Sequence, residues 1–483
     1  MHLVIYRNDL RTYDHAGLDK ALASGQPVIA LFQACSKQWR QHELGNYKLG
    51  FIWRRLQALK LELKQLKIPL IISEEQTFSA ANKALEKWLS NTQFEHLHYS
   101  CDYELNERRR DEQIKVLAHR YQVVPHEHHD SVIFAPDEVV KADGDMYQVF
   151  TPFKKQWLKQ LNQNWPQCYA KPKPQSHAAC QQAEAVAASY PLNEFSDPAK
   201  KYAQQLANWS AEQEAVLQQA ACFCREQVAD YQKQRDFPAL EQTSRLSAAF
   251  SLGILSPRQV LNRLLLEQGD RVWQPDSGPA VWLSELVWRE FYRHWVALND
   301  TISMGQAVKA EYNNIKWRYN SADFKAWCDG QTGYPIVDAA MRQLNETGWM
   351  HNRLRMIAAS FLVKDLQIDW RWGEAYFLQN LVDADFAANN GGWQWSASSG
   401  YDAAPYFRIF NPTTQSERFD PRGRFIRRFC PELAEVPDKY IHQPASYKSE
   451  FAGKTYPAEI VVHKEAREKT LKIYKDALNK TLK

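Results

Sequence analysis

Apolar positions along the first 130 residues fall into short β-branched runs separated by longer amphipathic stretches. Residues 3–6, 28–32, 70–73, 96–100 and 121–124 predict strands, the last of them stopped by Pro125. Between them, residues 50–66 place Ile52, Leu56, Leu59, Leu61 and Leu63 near helical spacing. Strands alternating with helices predict βαβ units, hence a doubly wound parallel sheet covered on both faces over residues 1–130. The turn after the first strand, Arg7-Asn8-Asp9-Leu10-Arg11, holds no glycine. A pyrophosphate needs a Gly-rich turn to approach such a sheet closely, so no dinucleotide is expected there in that mode.

Residues 131–200 predict a connector between domains. Its part from 171 to 201 carries Pro172, Pro174, Ser176, Pro191 and Pro198 amid Ala and Gln, and predicts a surface linker. Beyond residue 200 the strand signal ends. Helical patterns run over 202–230, 252–267, 279–298, 334–345, 353–366 and a charged last stretch, 463–482. Residues 201–483 therefore predict an all-α domain, with no internal repeat.

The length of 483 residues suits two or three domains, and 45% hydrophobic with 24% charged residues excludes collagen-like and disordered classes. A net charge of +4 is only mildly basic, so a nucleic-acid partner would have to use a local patch. The eight cysteines show neither a CxxC pair nor zinc-type spacing. No signal-peptide pattern and no apolar run near the ~20 residues of a membrane span occurs. A soluble, reduced, cytoplasmic protein is expected, with no membrane partner and no bound metal.

What remains unusual is 17 tryptophans, 11 of them after residue 270. Each is by default core material, since indole buries a large area for one hydrogen bond. Trp282, Glu285, Trp288 and Arg289, however, recur at spacings of three and four, which brings an acid, a base and aromatic rings to one helix face. Taken alone, Glu285 and Arg289 could be an exposed i,i+4 pair worth about 0.2–0.5 kcal/mol. Asn352 and Met356 lie one turn apart with Arg355 beside them. In the stretch from Asp383 to Trp395, Ala387 and Ala388 stand where a calcium loop needs Asp/Asn and Gly, so an EF-hand is excluded. The acid pair Asp383 and Asp385 leaves open a metal-assisted sugar transfer.

The segments 349–362, 383–395 and 406–412 resemble the signature blocks of the photolyase/cryptochrome family of flavoproteins. Arg7-Asn8-Asp9-Leu10-Arg11 with Asp14 resembles its N-terminal block, and Thr151-Pro152-Phe153 its interdomain block. The resemblance runs over nearly the whole chain in the same order, nearest the bacterial class I branch that acts on cyclobutane pyrimidine dimers. It implies a Rossmann-like α/β antenna domain followed by an all-helical FAD domain. It also implies a monomeric light-driven carbon–carbon lyase whose active cofactor is reduced FADH⁻ and whose partner is UV-damaged DNA. A cryptochrome-like blue-light receptor without repair is the alternative within the family. A flavin-free DNA-binding or sugar-transfer protein is a third reading and would be colourless.

Carried over position by position, the resemblance implies FAD contacts at Tyr231, Thr243, Ser244, Arg245, Leu246, Ser247, Trp282, Arg289, Arg355, Asp383, Ala384, Asp385 and Asn389. Thr243–Ser247 matches a phosphate-binding block, where hydroxyls and backbone N–H groups at a helix start suit an anion. Asn389 matches the residue facing flavin N5, where an amide does not repel an anionic reduced ring. Trp393, Trp370 and Trp317 match an electron-transfer chain from the surface. Glu285, Trp288, Asn352, Met356 and Trp395 match the dimer pocket; photolyases are among the enzymes that extrude their target base. Six-four photolyases carry a histidine pair near the positions of Asn352 and Met356, and both are non-basic here. His351 is expected to be structural. Arg235, Arg353 and Arg408 match residues near the DNA strand, with Arg422, Arg424, Arg427 and Arg428 adding charge nearby. His42, Asn106 and Glu107 match a site for a 5,10-methenyltetrahydrofolate antenna. Ser303 and Met304 stand where relatives often have cysteine and lysine, which leaves a deazaflavin or no antenna as alternatives.

Overall fold

The structure, a computed structural model, describes residues 1–190, 192–447 and 455–480. Pro191 of the expected linker and residues 481–482 of the expected last helix lie outside the described residues. The chain divides into two compact units. Met1–Tyr147, Thr151–Ala229 and Ser244–Asp300 make the first; Gln148–Phe150, Asp230–Thr243 and the described chain from Thr301 onward make the second.

In the first unit, β1 (His2–Tyr6), β2 (Val28–Ala34), β3 (Leu70–Glu74), β4 (His96–Ser100) and β5 (Val124–His128) form one parallel sheet in the order β3-β2-β1-β4-β5. Leu3 and Ile5 of β1 point to one face, where Ile29, Leu31, Leu97 and Tyr99 pack with Leu85, Trp88 and Ile114 of flanking helices. Buried on both faces, the strands read as continuous apolar runs, which is why they were predictable. The fifth strand begins later than expected and contains Pro125 instead of ending before it. It is an edge strand, so the missing N–H of proline need not interrupt a ladder on the outer side.

Two further segments differ from expectation. The prolines at 172 and 174 precede a helix, His177–Ala187, capped by the Ser176 hydroxyl; its Ala183 joins the sheet core. The expected helix over 202–230 breaks into Ala203–Leu206 and Gln213–Cys222 with tighter and looser turns after it. The break buries Trp209 and frees the Ala211 carbonyl to accept from Arg55 Nη1 at 2.7 Å.

The turn after β1 fills the switch point of the sheet, where doubly wound folds commonly bind ligands. Arg7 Nη1 donates to the Ser100 carbonyl at 2.9 Å and to Asp111 at 2.8 Å. Asp9 accepts from the Ser100 hydroxyl at 2.6 Å and lies 2.9 Å from His15 Nε2. Burial works to raise the Asp9 carboxyl, but His15 and the Ser100 hydroxyl outweigh it and hold it well below its ordinary value. Arg258 bridges Asp14, at 3.1 Å, and Asp130, at 2.7 Å, and Arg11 also faces Asp130 at 3.4 Å. Asp9, His15 and Asp130 lie close enough together to chelate, yet guanidinium groups already neutralise Asp130. Gly253, at φ +63°, lets the chain pass this turn: a Cβ there would sit 2.2 Å from the Asn8 carbonyl oxygen.

The second unit is helical. Among its α-helices are Tyr231–Gln234, Ser321–Cys328, Pro335–Thr347, Asn352–Ser360, Trp370–Asn380, Phe386–Ser396, Pro412–Phe419, Arg424–Phe429 and His463–Lys480, and a π-turn, Phe361–Asp365, extends Asn352–Ser360. All eight cysteines are free. Among the described residues no helix is long and apolar enough to cross a membrane.

Candidate functional site

The second unit gathers expected flavin contacts around the start of helix Phe386–Ser396. Asp385 caps it, accepting from Ala388 N at 3.0 Å. Just upstream, Asp383 is buried and takes both oxygens to Arg355 Nη2, at 2.8 and 3.1 Å. Arg355 is aimed by a third bond, from Nε to the Met350 carbonyl at 2.8 Å. Ala384 is buried between the two acids. Asn389 Nδ2 donates to the Glu374 carbonyl at 3.0 Å, which among the described residues leaves Oδ1 as the unused acceptor of a fixed, uncharged amide. Asn390 Nδ2 holds the Glu374 carboxyl at 2.8 Å, and Gln394 holds Asn390 at 3.0 Å. Burial pushes the Glu374 carboxyl up to about 7, against the opposing pull of Asn390 and Arg371. Glu374 and Asn390 were not singled out in the sequence, because their pairing joins positions 16 residues apart.

These residues fit a flavin. Asn389 Oδ1 suits the N–H donor of a reduced isoalloxazine, and Arg355 brings a cation whose counter-charge is already placed. Ala388 and Gly392 are exposed on this helix, and nothing lies within 4 Å of a Cβ position on Gly392. Tyr231 is buried under the Arg235 guanidinium, 5.1 Å from its ring centre, and Thr243 is half-buried.

Trp393 and Trp370 are buried and Trp317 half-buried. Trp317 packs edge-on against Tyr474 at 6.3 Å, and a backbone bridge from Arg318 to Ile368 brings its segment beside that of Trp370. The rings touching Trp393 are Phe377, at 5.0 Å, and Trp327, at 6.1 Å. Helix Trp370–Asn380 comes so near that a Cβ on Gly373 would lie 2.0 Å from Trp393 Cη2. A glycine inside an aromatic helical run is the sequence signal for such an approach.

Of the expected lesion contacts in this unit, Asn352 is exposed, and Met356 and Trp395 are half-buried. His351 is structural, as expected: its Nδ1 accepts from Arg353 N at 3.2 Å and caps helix Asn352–Ser360. Burial lowers the His351 ring to about 4. The folded state thus refuses a proton that the unfolded chain takes near pH 6.5. Its stabilising effect is whole above pH 6.5 and is lost as pH falls toward about 4, up to about 3 kcal/mol. Denaturant titrations at pH 7.5 and 4.5 should show a smaller acid loss in His351→Gln than in the native chain.

Arg353 pairs with Asp236 at 2.7 Å and lies over Phe419; Arg235 approaches the same carboxylate at 3.9 Å, and Arg408 is exposed. Arg427 and Arg428 pair with Asp438 and Glu241.

In the first unit, helix Gly278–Leu298 carries Trp282, buried against Phe223 at 5.4 Å, and the half-buried Glu285, Trp288 and Arg289. Arg289 Nη1 donates to the Ser131 carbonyl at 2.6 Å. Arg245 adopts φ 51° with its guanidinium over Trp209, and Ser247 opens a short helix, Ser247–Ser251, with Leu246 buried at its cap; the Ser244 carbonyl accepts from Gln219. The three antenna candidates meet although 64 residues separate His42 from Asn106: His42 Nδ1 lies 3.3 Å from Glu107, and Nε2 lies 3.1 Å from Asn106 Nδ2. Gln38 Nε2, at 3.0 Å, approaches the same ring nitrogen as Asn106, while Glu107 faces the other.

The family described as "FAD binding domain of DNA photolyase" matches residues 282–476, and that described as "DNA photolyase" matches 2–175. Fold and site are thus those of a flavin-binding protein with an α/β domain before a helical one. The chain is 46% identical to the deoxyribodipyrimidine photo-lyase of Escherichia coli (strain K12), over 99% of this chain and 98% of that one. It is 45% identical to that of Vibrio cholerae, over 99% and 100%. A bacterial class III photolyase from Agrobacterium tumefaciens has a similar structure, with TM-score 0.85 and 31% identity over 99% of this chain and 97% of that one. The chain belongs to the DNA photolyase family.

Proposed function

We propose that this chain binds UV-damaged DNA and splits cyclobutane pyrimidine dimers in blue light, as a monomer in the cytoplasm. Full-length similarity to proteins named deoxyribodipyrimidine photo-lyase supports repair. The observation that carries repair over light reception is the neutral amide of Asn389, locked by the Glu374 carbonyl with an acceptor to spare. When bound, reduced FAD would supply the electron that opens the two carbon–carbon bonds of the dimer and would recover it afterwards, with no net redox change. Asn389 accepts the ring N–H without adding negative charge. Arg355, neutralised by Asp383, together with Asp385, orients the ring; Ala384 contributes backbone beside it. Tyr231, Thr243, Ser244, Arg245, Leu246, Ser247, Trp282 and Arg289 serve the remaining FAD groups.

Glu285 hydrogen-bonds the polar edges of the extruded pyrimidines, and Trp288 and Trp395 offer stacking area. Asn352 and Met356 line the lesion without a base. Arg235, Arg353 and Arg408 meet the strand's phosphates. Residues 1–130 serve as the antenna domain, 131–200 as connector and 201–483 as the FAD and lesion domain, with His42, Asn106 and Glu107 holding a methenyltetrahydrofolate. Similarity to a Synechocystis cryptochrome, at TM-score 0.82 and 26% identity over 98% of this chain and 99% of that one, is the point in favour of the receptor reading.

Thymine-dimer oligonucleotides, mixed with the FAD-loaded, chemically reduced protein, are expected to be repaired in blue light and left intact in darkness. Equal outcomes in the two arms, or a protein that stays colourless with added FAD, would reject the proposal.

A further inference from the structure

The ring contacts of Trp393 lead away from Trp370, with which it shares none among the described residues. They begin instead with Trp327, fully buried at 6.1 Å between centroids. Trp327 stacks on Phe324 at 5.8 Å, the same phenyl ring meets Trp372 edge-on at 5.1 Å, and Trp372 meets Tyr319 at 5.9 Å. The series runs from an indole that is 2% exposed to a phenol that is 70% exposed. Tyr319 and Trp372 had no role in the site described above.

We propose that Trp393, Trp327, Trp372 and Tyr319 form a second electron path from the surface to the flavin, one that bypasses Trp370 and Trp317. The inference rests on the FAD-binding reading. Tunnelling falls off exponentially with distance, so short hops between oxidisable rings outrun one long one, and Phe324 fills the gap between the two middle indoles. Charge favours this path as well. The Arg371 guanidinium lies 4.6 Å over Trp370, where it opposes a positive hole on that ring, although Asp369 at 3.0 Å from Arg371 offsets part of the effect. Among the described residues no cation lies over Trp327 or Trp372.

The end of the path is set by where a proton can go. Tyr376 also touches Trp327, at 5.7 Å, but its hydroxyl donates to Asn345 Oδ1 at 2.7 Å and to the Cys328 carbonyl at 3.2 Å. Neither oxygen is a base, so a hole on Tyr376 would be an unrelieved phenol cation. Tyr319 opens to water. Each passage oxidises Tyr319 by one electron and reduces the excited, oxidised flavin by one; the phenolic proton leaves to water, which stops the hole from running back. A thiol in solution returns a hydrogen atom to the phenoxyl and restores tyrosine. Two passages and one proton from solvent complete the reduction.

The test uses the holoprotein with oxidised FAD in blue light with dithiothreitol, read by flavin absorbance and by electron paramagnetic resonance of samples frozen under illumination without thiol. Trp370→Phe is expected to keep bleaching its flavin band and to show a tyrosyl radical. Adding Tyr319→Phe should remove the tyrosyl signal, and adding Trp372→Phe should abolish bleaching. Should Trp370→Phe fail to retain flavin, the single variants Trp372→Phe and Tyr319→Phe decide, since each should lose the tyrosyl signal of the native holoprotein. Persistence of that signal in Tyr319→Phe overturns the path. So does loss of bleaching in yellow Trp370→Phe. Failure of chemically reduced native protein to repair dimers rejects the repair function while leaving the path standing, and failure to take up FAD overturns both.

Discussion

Gly373→Ala is expected to destabilise the protein by about 3 kcal/mol or more and to loosen its hold on FAD. Overfilling a packed core costs about 1–3 kcal/mol when neighbours can shift, and more when they cannot. The new methyl would sit 2.0 Å from Trp393 Cη2 and 2.5 Å from Cζ3. Trp393 has no room to yield, being 2% exposed and backed by Phe377 and Trp327. Relief would require the helix Phe386–Ser396 to move, and that helix carries Asn389 and its cap Asp385. Gly392→Ala is the contrasting case. It lies in the same helix with nothing within 4 Å of its Cβ position, so the better helix former should add up to about 1 kcal/mol. Denaturant midpoints and flavin absorbance of the two variants, measured side by side, should move in opposite directions for stability.

Arg258→Met is the second large effect, with an expected loss of about 3–5 kcal/mol, the usual result of removing one partner from a buried ion pair. Asp14 and Asp130 are 0% and 1% exposed, and Arg258 pairs with both carboxylates. Methionine fills much of the volume but leaves a carboxylate with reduced compensation. Burial works to raise the Asp130 carboxyl, and Arg11, His15 and Arg258 together outweigh it and hold it low. A carboxyl held low stabilises above its ordinary range near pH 4 and loses that contribution as pH falls through the folded value. The Asp130 carboxyl of the variant should therefore protonate more easily. The gap between native and variant midpoints should be wide at pH 7 and should narrow below pH 4, where a neutral acid no longer needs a guanidinium. An unchanged gap would show that the loss comes from packing instead of charge.

The sheet was legible because parallel strands buried on both faces are written as unbroken apolar runs, as in Leu3-Val4-Ile5 and Val28-Ile29-Ala30-Leu31. The fifth strand was shortened because Pro125 reads as a stop unless the strand is known to lie at the edge. Helix His177–Ala187 was hidden by the prolines that bracket it at 174 and 191, although its Ser176 cap stood in plain view. The roles of Asn389, Arg355 and Asp383 came from the resemblance, not from spacing. Their fixed orientation depends on Glu374 and Met350, which no local pattern connects to them. Likewise Trp327 meets Trp393 across 66 positions, and only the folded chain reveals which tryptophans are neighbours.

Both margins of the sheet are unfriendly to a newcomer. On one side Pro125 removes a donor from the outermost strand; on the other, Glu74 N is already spoken for by the Asn193 carbonyl at 3.0 Å. A stray polypeptide therefore finds no continuous row of amides onto which to zip, and crowded solutions of this protein are spared one route to fibrous association.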